Sequence, residues 1–473
     1  MLWNWIERLN SFGPRLTGYP AHEASIDLIA QELQAMGLVV QSDVHAMTRW
    51  TVRETGLVVA GSPVPVASAF AYSGRTEPQG ITAPLVWLGE KPRSLEAAAG
   101  KIAVVPVKNA AIGFLVRDLM FTRKAFYPSR EEADFTGTVT TPLLSGLTPG
   151  IDLAAARRAG VLGVICVFQD MSEEAARDQY NPFITPYQDC PALWVGPAAG
   201  ARLKAACEAG EQATLTLQAE LAPDVPTRTL FAVLEGTVPN ETIIVNTHTD
   251  GPNACEENGP AALLALARYM SRVPAEQRRR TIIFAFVTGH FQMPQLSGHE
   301  GQATSRWLRD HPELWDGKPG HRKAVAGLTI EHIGCREWKD VADRSRSAPT
   351  GKLERELVYT TNEVMDQVFA EAAAGRTKIR ALTVEPRNGV HLGEGQPLFA
   401  AGIPAIAMCP LPDYLCSARR GGDLDRLDPE FAHQQVQTFA RALLQLDALP
   451  AKVLGSPRPA RNTLLGRVVK LGQ

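Results

Sequence analysis

Four of the ten histidines, His248, His290, His332 and His391, fall beside short apolar runs, each accompanied by a carboxylate or an amide. After Thr242 to Asn246 (TIIVN) come Thr247, His248, Thr249 and Asp250, then Cys255, Glu256, Glu257, Asn258 and Gly259. After Thr281 to Val287 (TIIFAFV) come Thr288, Gly289 and His290; after Lys323 to Ile330 (KAVAGLTI) come Glu331 and His332; His391 and Glu394 precede Ala405 to Cys409 (AIAMC). Imidazole and carboxylate groups together offer the nitrogen and oxygen donors of a divalent ion, zinc first, with manganese and iron as alternatives. Asp250, two residues after His248, is placed to accept an imidazole N–H and fix which ring nitrogen faces the ion. An ion held this way lowers the pKa of bound water and polarises a carbonyl. A single His or Glu at a strand end more often makes only local hydrogen bonds. Several converging on one sheet edge favour a site.

The remaining candidates carry less. His22, His45, His299, His311 and His321 read as surface or packing residues. Cys255 has a reading as a thiolate nucleophile with His290 as its base, weighed against that of a small buried residue, and the latter is favoured. Trp307, Trp315, Trp338 and Met293 can wall an apolar pocket, but such residues are more often core.

Strands must present these residues. From Thr227 onward, apolar runs bounded by helical stretches (Pro260 to Ser271, Gln302 to Asp310, Asp428 to Leu446) predict a doubly wound α/β unit whose sheet is covered on both faces. In such a sheet the site lies beyond the carboxyl ends of the strands, where the histidines and carboxylates fall. Gly18 to Met36 predicts an amphipathic helix. Between about Gly56 and Leu221 the texture changes to short β-branched runs broken by Gly and Pro, among them Lys101 to Val107 and Val161 to Phe168, with a helix at Asp152 to Ala159. The expected division is residues 1–55 with 222–450 as one α/β domain, 56–221 as an inserted strand-rich domain, and 451–473 as an extension.

At 473 residues the chain exceeds one ordinary domain. Lys plus Arg number 48 against 50 for Asp plus Glu, a balance that gives nucleic acid or an acidic membrane no purchase. No apolar run approaches the ~20 residues of a membrane span. The opening residues lack a secretory pattern. Seven scattered cysteines without a CxxC pair argue against a disulfide framework. A cytoplasmic protein is the expectation.

The motifs resemble the co-catalytic zinc aminopeptidases and carboxypeptidases. GPRLTGYPAHEASIDLIAQELQAMGL looks like their first helix, VNTHTDG with ENGPAALLALARYM like their first metal histidine and the helix after the bridging aspartate, and TIIFAFV like the strand before their paired glutamates. GLTIEHIG resembles the strand ending in a ligand aspartate, and PLFAAGIPAIAM the segment before their last ligand. GKIAVVPV, AARRAGVLGVICVF and CPALWVGPAAGARLKAA are similar to a protease-associated domain. The resemblance implies a zinc-aminopeptidase-like mixed sheet covered by helices, with that domain inserted. It makes His248 the first ligand and Asp250 its orienting carboxylate. At the bridging aspartate, strict spacing gives Cys255, with Glu256 and Glu257 as substitutes. His290 and Phe291 stand at the paired glutamates and Glu331 at an aspartate ligand. No histidine stands near Tyr414 to Ser417, where the last ligand falls, and Tyr414 is kept as a catalytic candidate.

The expected site is therefore a rearranged, mononuclear one. One divalent ion is drawn from His248, Glu256, Glu257, His290, Glu331 and His391, with His332 in reserve, and His290, Asp250 and Tyr414 serve catalysis. The expected activity is metal-dependent hydrolysis of an amide, ester or related bond in a small molecule or short peptide, by a chain that can form homo-oligomers. The alternatives are a metal-free binding protein on this scaffold, or a lyase using the same cluster.

Overall fold

The computed structural model describes residues 1–109, 111–112, 121–134, 139–298, 301–386, 391–419 and 421–457. His299 and residues 458–473 of the expected extension lie outside them.

The strand Val238–His248 is central, parallel to Arg280–Val287 on one side and to Lys323–Ile330 on the other. Ala405–Met408 adds in parallel to Lys323–Ile330. Beyond it lie Glu356–Thr360, antiparallel to Ala405–Met408, then Ala381–Pro386 and Phe121–Tyr127. Every residue of Arg280–Val287 is buried, as a sheet covered on both faces requires. Successive side chains alternate between the faces. Ile282, Phe284 and Phe286 join Ile243 and Val245 under the helices Pro20–Ala35, Gly259–Ser271 and Pro429–Ala448. Ile283, Ala285 and Val287 join Ile244 against the helix Ala303–Asp310. Truncating a side chain such as Phe284 to alanine costs about 3–5 kcal/mol in such a core. The fold is the expected doubly wound mixed α/β sheet covered by helices.

A second sheet runs Ser68–Ala69, Ala192–Val195, Gly163–Phe168, Ile102–Val107 and Ile81–Trp87, and ends on the start of Gln212–Leu234. The helix Leu153–Arg158 packs on it, its N-terminus capped by the Asp152 carboxylate, which accepts from Ala155 N–H. Its connection to the first sheet is a long ribbon: Val40–Val59 pairs antiparallel with Gln212–Leu234 from Val40 opposite Ala232 to Val59 opposite Ala213. The far end of Gln212–Leu234 then pairs with Arg280–Val287. The ribbon runs through residues 55–56 and 221–222, where the sequence texture changes. Phe121–Tyr127, although it falls within 56–221, pairs with Ala381–Pro386 at the edge of the first sheet.

Candidate metal centre

The strand Val238–His248 delivers His248 at its carboxyl end, fully buried. Its Nδ1 donates to the backbone carbonyl of Asp250 at 2.8 Å, which leaves Nε2 buried without a hydrogen-bond partner. The expected orienter is thus corrected: the main chain of Asp250 fixes this ring, because the Asp250 side chain points elsewhere. Its carboxylate accepts from the backbone N–H of Gly289 (3.2 Å), His290 (3.3 Å) and Phe291 (2.9 Å), and from the Thr17 hydroxyl (2.5 Å). Burial alone would raise this carboxyl, but His22, His248 and His290, with the Thr17 bond, hold it below its ordinary range. Asp250 therefore anchors the turn that carries His290. Gly289 enters that turn at φ 101°, and a Cβ there would meet Leu296.

Glu256 comes from the loop before the helix Gly259–Ser271. Asn253 shapes it, accepting from Cys255 N–H and Glu256 N–H while donating to the carbonyls of Tyr414, Leu415 and Ser417. Both Glu256 oxygens are buried without hydrogen-bond partners. The nearest nitrogen, His332 Nε2, lies 2.6 Å from Oε2, and against burial the pair holds Glu256 below and His332 well above their ordinary ranges. His332 follows the strand Lys323–Ile330 with a left-handed backbone (φ 56°), and its Nδ1 donates to the Pro410 carbonyl at 2.6 Å. Glu331, beside it, accepts from Glu394 N–H on Oε1 at 2.6 Å. Its Oε2 has no hydrogen-bond partner and lies 4.0 Å from both His248 Nε2 and His332 Nε2. Donor atoms of His248, Glu256 and His332 lie within 4.8 Å of one another, as do those of Glu331, His332 and Cys409.

The donor atoms form two overlapping groups that share His332, one with His248 and Glu256 and one with Glu331 and Cys409, and Glu331 Oε2 reaches to 4.0 Å from His248 Nε2. The mixed nitrogen and oxygen set is of the kind that suits a divalent cation such as zinc. The charge balance agrees. Burial pushes the Glu331 carboxyl up to about 7 against the pull of His332 and His290, as expected for an acid lacking enough positive charge.

His290 stacks on His248 with ring centroids 4.2 Å apart. Its Nδ1 bonds Glu394 Oε1 at 2.7 Å, and Nε2 lies 3.7 Å from Glu256 Oε1. Burial would lower this imidazole, but the bond to Glu394 and the charges of Glu394, Glu256 and Glu331 raise it to about 9. Glu394 is held in turn by the N–H groups of Ala303 and Thr304 at the start of the helix Ala303–Asp310. Phe291, where the resemblance puts a ligand, packs on Phe183 (4.3 Å) and Tyr180 (6.3 Å), and Phe183 meets the His290 ring edge-on at 5.2 Å.

Three expected site residues stand outside this cluster. Glu257 turns away from Glu256 and pairs with the buried Arg15 at 2.9 Å. His332, kept in reserve from its place after the Lys323–Ile330 strand, stands in the cluster instead. His391 donates from Nδ1 to the Leu392 carbonyl and stacks on Tyr359 at 4.0 Å; burial lowers it to about 3, so it is a neutral packing residue. The Tyr414 hydroxyl lies 3.0 Å from the Arg336 carbonyl and 3.2 Å from that of Arg426, inside the core. Cys255 is buried with its thiol raised well above the ordinary range and its sulfur against Cys335, so it offers no thiolate to His290. Trp307 and Met293 are core residues, the Trp315 indole bonds the Leu308 carbonyl, and Trp338 lies under Arg426. His22 is fully buried rather than on the surface, bonded to the Thr249 hydroxyl at 2.8 Å.

No protein-family model and no curated protein matches this sequence. Solved structures do match it over nearly their whole length. A zinc aminopeptidase from Bacillus subtilis superimposes with a TM-score of 0.63 at 17% identity, covering 95% of this chain and 96% of its own. The aminopeptidase from Aneurinibacillus sp. strain AM-1 gives 0.61 at 17%, covering 94% and 93%. A peptidase M28 precursor from Shewanella amazonensis gives 0.64 at 16%, covering 98% and 95%. The chain has the zinc-aminopeptidase fold. On this fold His248 and Glu331 stand at the carboxyl ends of neighbouring strands, with Glu256 and His290 close by.

Proposed function

We propose that the chain is a metal-dependent hydrolase of amide or ester bonds in a short peptide or small molecule, working through one divalent ion in a rearranged centre. The observation that carries this reading is the cluster of buried donors His248, Glu256, Glu331 and His332, in which His248 Nε2 and Glu331 Oε2 have no hydrogen-bond partner and lie 4.0 Å apart. In this reading these four residues hold the ion, zinc first, which when bound supplies an activated water and polarises the scissile carbonyl.

The chain's own residues do the rest. The bond between His290 and Glu394 commits Nδ1, so Nε2 is the nitrogen that faces the centre. The Glu394 carboxylate stabilises the protonated ring, which would donate a proton from Nε2 to the leaving group. Phe183 and Phe291 border His290, which favours a substrate with an apolar group next to the bond cleaved. No helix among the described residues is long and apolar enough to cross a membrane, and the working location proposed is the cytoplasm.

The test is hydrolysis of a panel of aminoacyl and N-acyl amides and esters, before and after chelation. Turnover abolished by chelator and restored by zinc, manganese or iron supports the assignment. Turnover indifferent to chelation and to added metal contradicts it.

A further inference from the structure

The two loops that carry Glu256 and His332 also bring two cysteines together. Cys255 directly precedes Glu256, and Cys335 stands three residues after His332. Their sulfurs are 2.8 Å apart, and both side chains are buried. Non-bonded heavy atoms rest roughly 3.5–4 Å apart, whereas bonded sulfurs lie at ~2.05 Å. The pair lies between the bonded and the non-bonded separation, inside ordinary van der Waals contact.

Both cysteines are fixed by their own backbones. Cys255 N–H donates to Asn253 Oδ1 at 2.9 Å. Cys335 bridges to Leu427, and its carbonyl accepts from Glu354 N–H at 2.9 Å. The Cys335 thiol also donates to the His332 carbonyl at 3.1 Å, a bond that oxidation of the pair would give up. Strict spacing puts Cys255 where the resemblance expects a bridging carboxylate, yet its sulfur faces Cys335 and leaves the ligand role to Glu256.

We propose that Cys255 and Cys335 form a disulfide that ties the Glu256 loop to the His332 turn, acquired while the chain folds and before the pair is covered. A small-molecule disulfide of the glutathione type is the oxidant. One cysteine thiolate attacks it, breaking its S–S bond, forming a mixed disulfide and releasing one thiol. The second cysteine attacks the protein sulfur of that intermediate, closing the Cys255–Cys335 bond and expelling the second thiol. The two protons lost by the cysteines end on the two released thiols. In the reducing cytoplasm proposed above the pair rests as a dithiol, and chain that folds under oxidising conditions carries the cross-link. The link does not depend on the centre holding a metal.

The experiment is a cysteine map of the full chain, read by mass. One sample is incubated natively in a buffer of oxidised and reduced glutathione; another is unfolded with reductant and refolded into the same buffer. Free thiols are then alkylated in denaturant, and the protein is digested without reduction. The expected result in at least one arm is a peptide pair joined through Cys255 and Cys335, intact mass 2 Da lower, with the other five cysteines alkylated. Reduction of that species is expected to lower its melting temperature by about 3–10 °C, while a Cys255→Ala, Cys335→Ala double variant melts the same with and without reductant. Seven alkylated cysteines in both arms, or Cys255 bridged to another cysteine, overturns the proposal.

Discussion

The imidazoles of His248 and His290 lie face to face, their centroids 4.2 Å apart and their planes 14° from parallel. The two rings have opposite environments. Burial lowers His248 to about 4, so it stays neutral and ready to ligate, whereas the bond to Glu394 and the surrounding carboxylates overcome burial and raise His290 to about 9. In the function proposed above, the first ring is the metal ligand and the second carries the proton.

Replacing His290 with Gln keeps a polar side chain but removes the proton donor. Turnover is expected to fall by about 10²–10⁴-fold while metal content is unchanged, measured by steady-state kinetics and elemental analysis on one preparation. Loss of metal in step with activity would make His290 a ligand instead.

Glu394→Gln removes the carboxylate partner of the His290 ring and weakens the hold on Ala303 and Thr304. A smaller loss is expected, about 10-fold or more in kcat, with KM little changed. A variant that changes only KM contradicts the positioning role.

Arg15 and Glu257 form a buried ion pair, each about 1% exposed, and Arg15 also binds the Leu9 and Glu257 carbonyls. Burial pushes the Glu257 carboxyl well above its ordinary range even beside Arg15, so in Arg15→Met it takes up a proton and the cost is that of a buried polar group losing its partner, about 1–3 kcal/mol. Urea unfolding of the two proteins checks this. A loss below about 1 kcal/mol would show that the pair contributes little.

Much of the site was legible because strand ends and ligand positions coincide. His248, His290 and Glu331 each directly follow, or nearly follow, an apolar run that becomes a central strand. Glu256 and Glu257 were not separable in sequence, since the choice depends on how the loop turns about Asn253 and on the distant partner Arg15. Glu394 was visible only as a neighbour of His391, and its contact with His290 spans 104 positions. The long ribbon of Val40–Val59 with Gln212–Leu234 was missed for a similar reason. Its exposed, partly polar stretches lack a clean alternation, and its partner lies far away in the chain.

His22 gives a pH dependence. Its Nδ1 accepts from Gly18 N–H and its ring is neutral, lowered to about 4 chiefly by burial. Between that value and the ordinary 6.5, the unfolded chain binds a proton that the folded chain does not, so stability falls as pH drops through this window. The shift corresponds to about 3 kcal/mol. Urea unfolding at pH 7 and pH 4 is expected to show a smaller acid loss in His22→Gln than in the wild type. Equal losses would remove His22 from the account.

The most direct measurement is metal content by plasma mass spectrometry, on the wild type and on a His248→Ala, His332→Ala double variant, after dialysis against zinc, manganese or iron. The account predicts about one transition-metal ion per chain, lost in the folded double variant. No bound metal in the wild type, or equal metal in the two proteins, would contradict it.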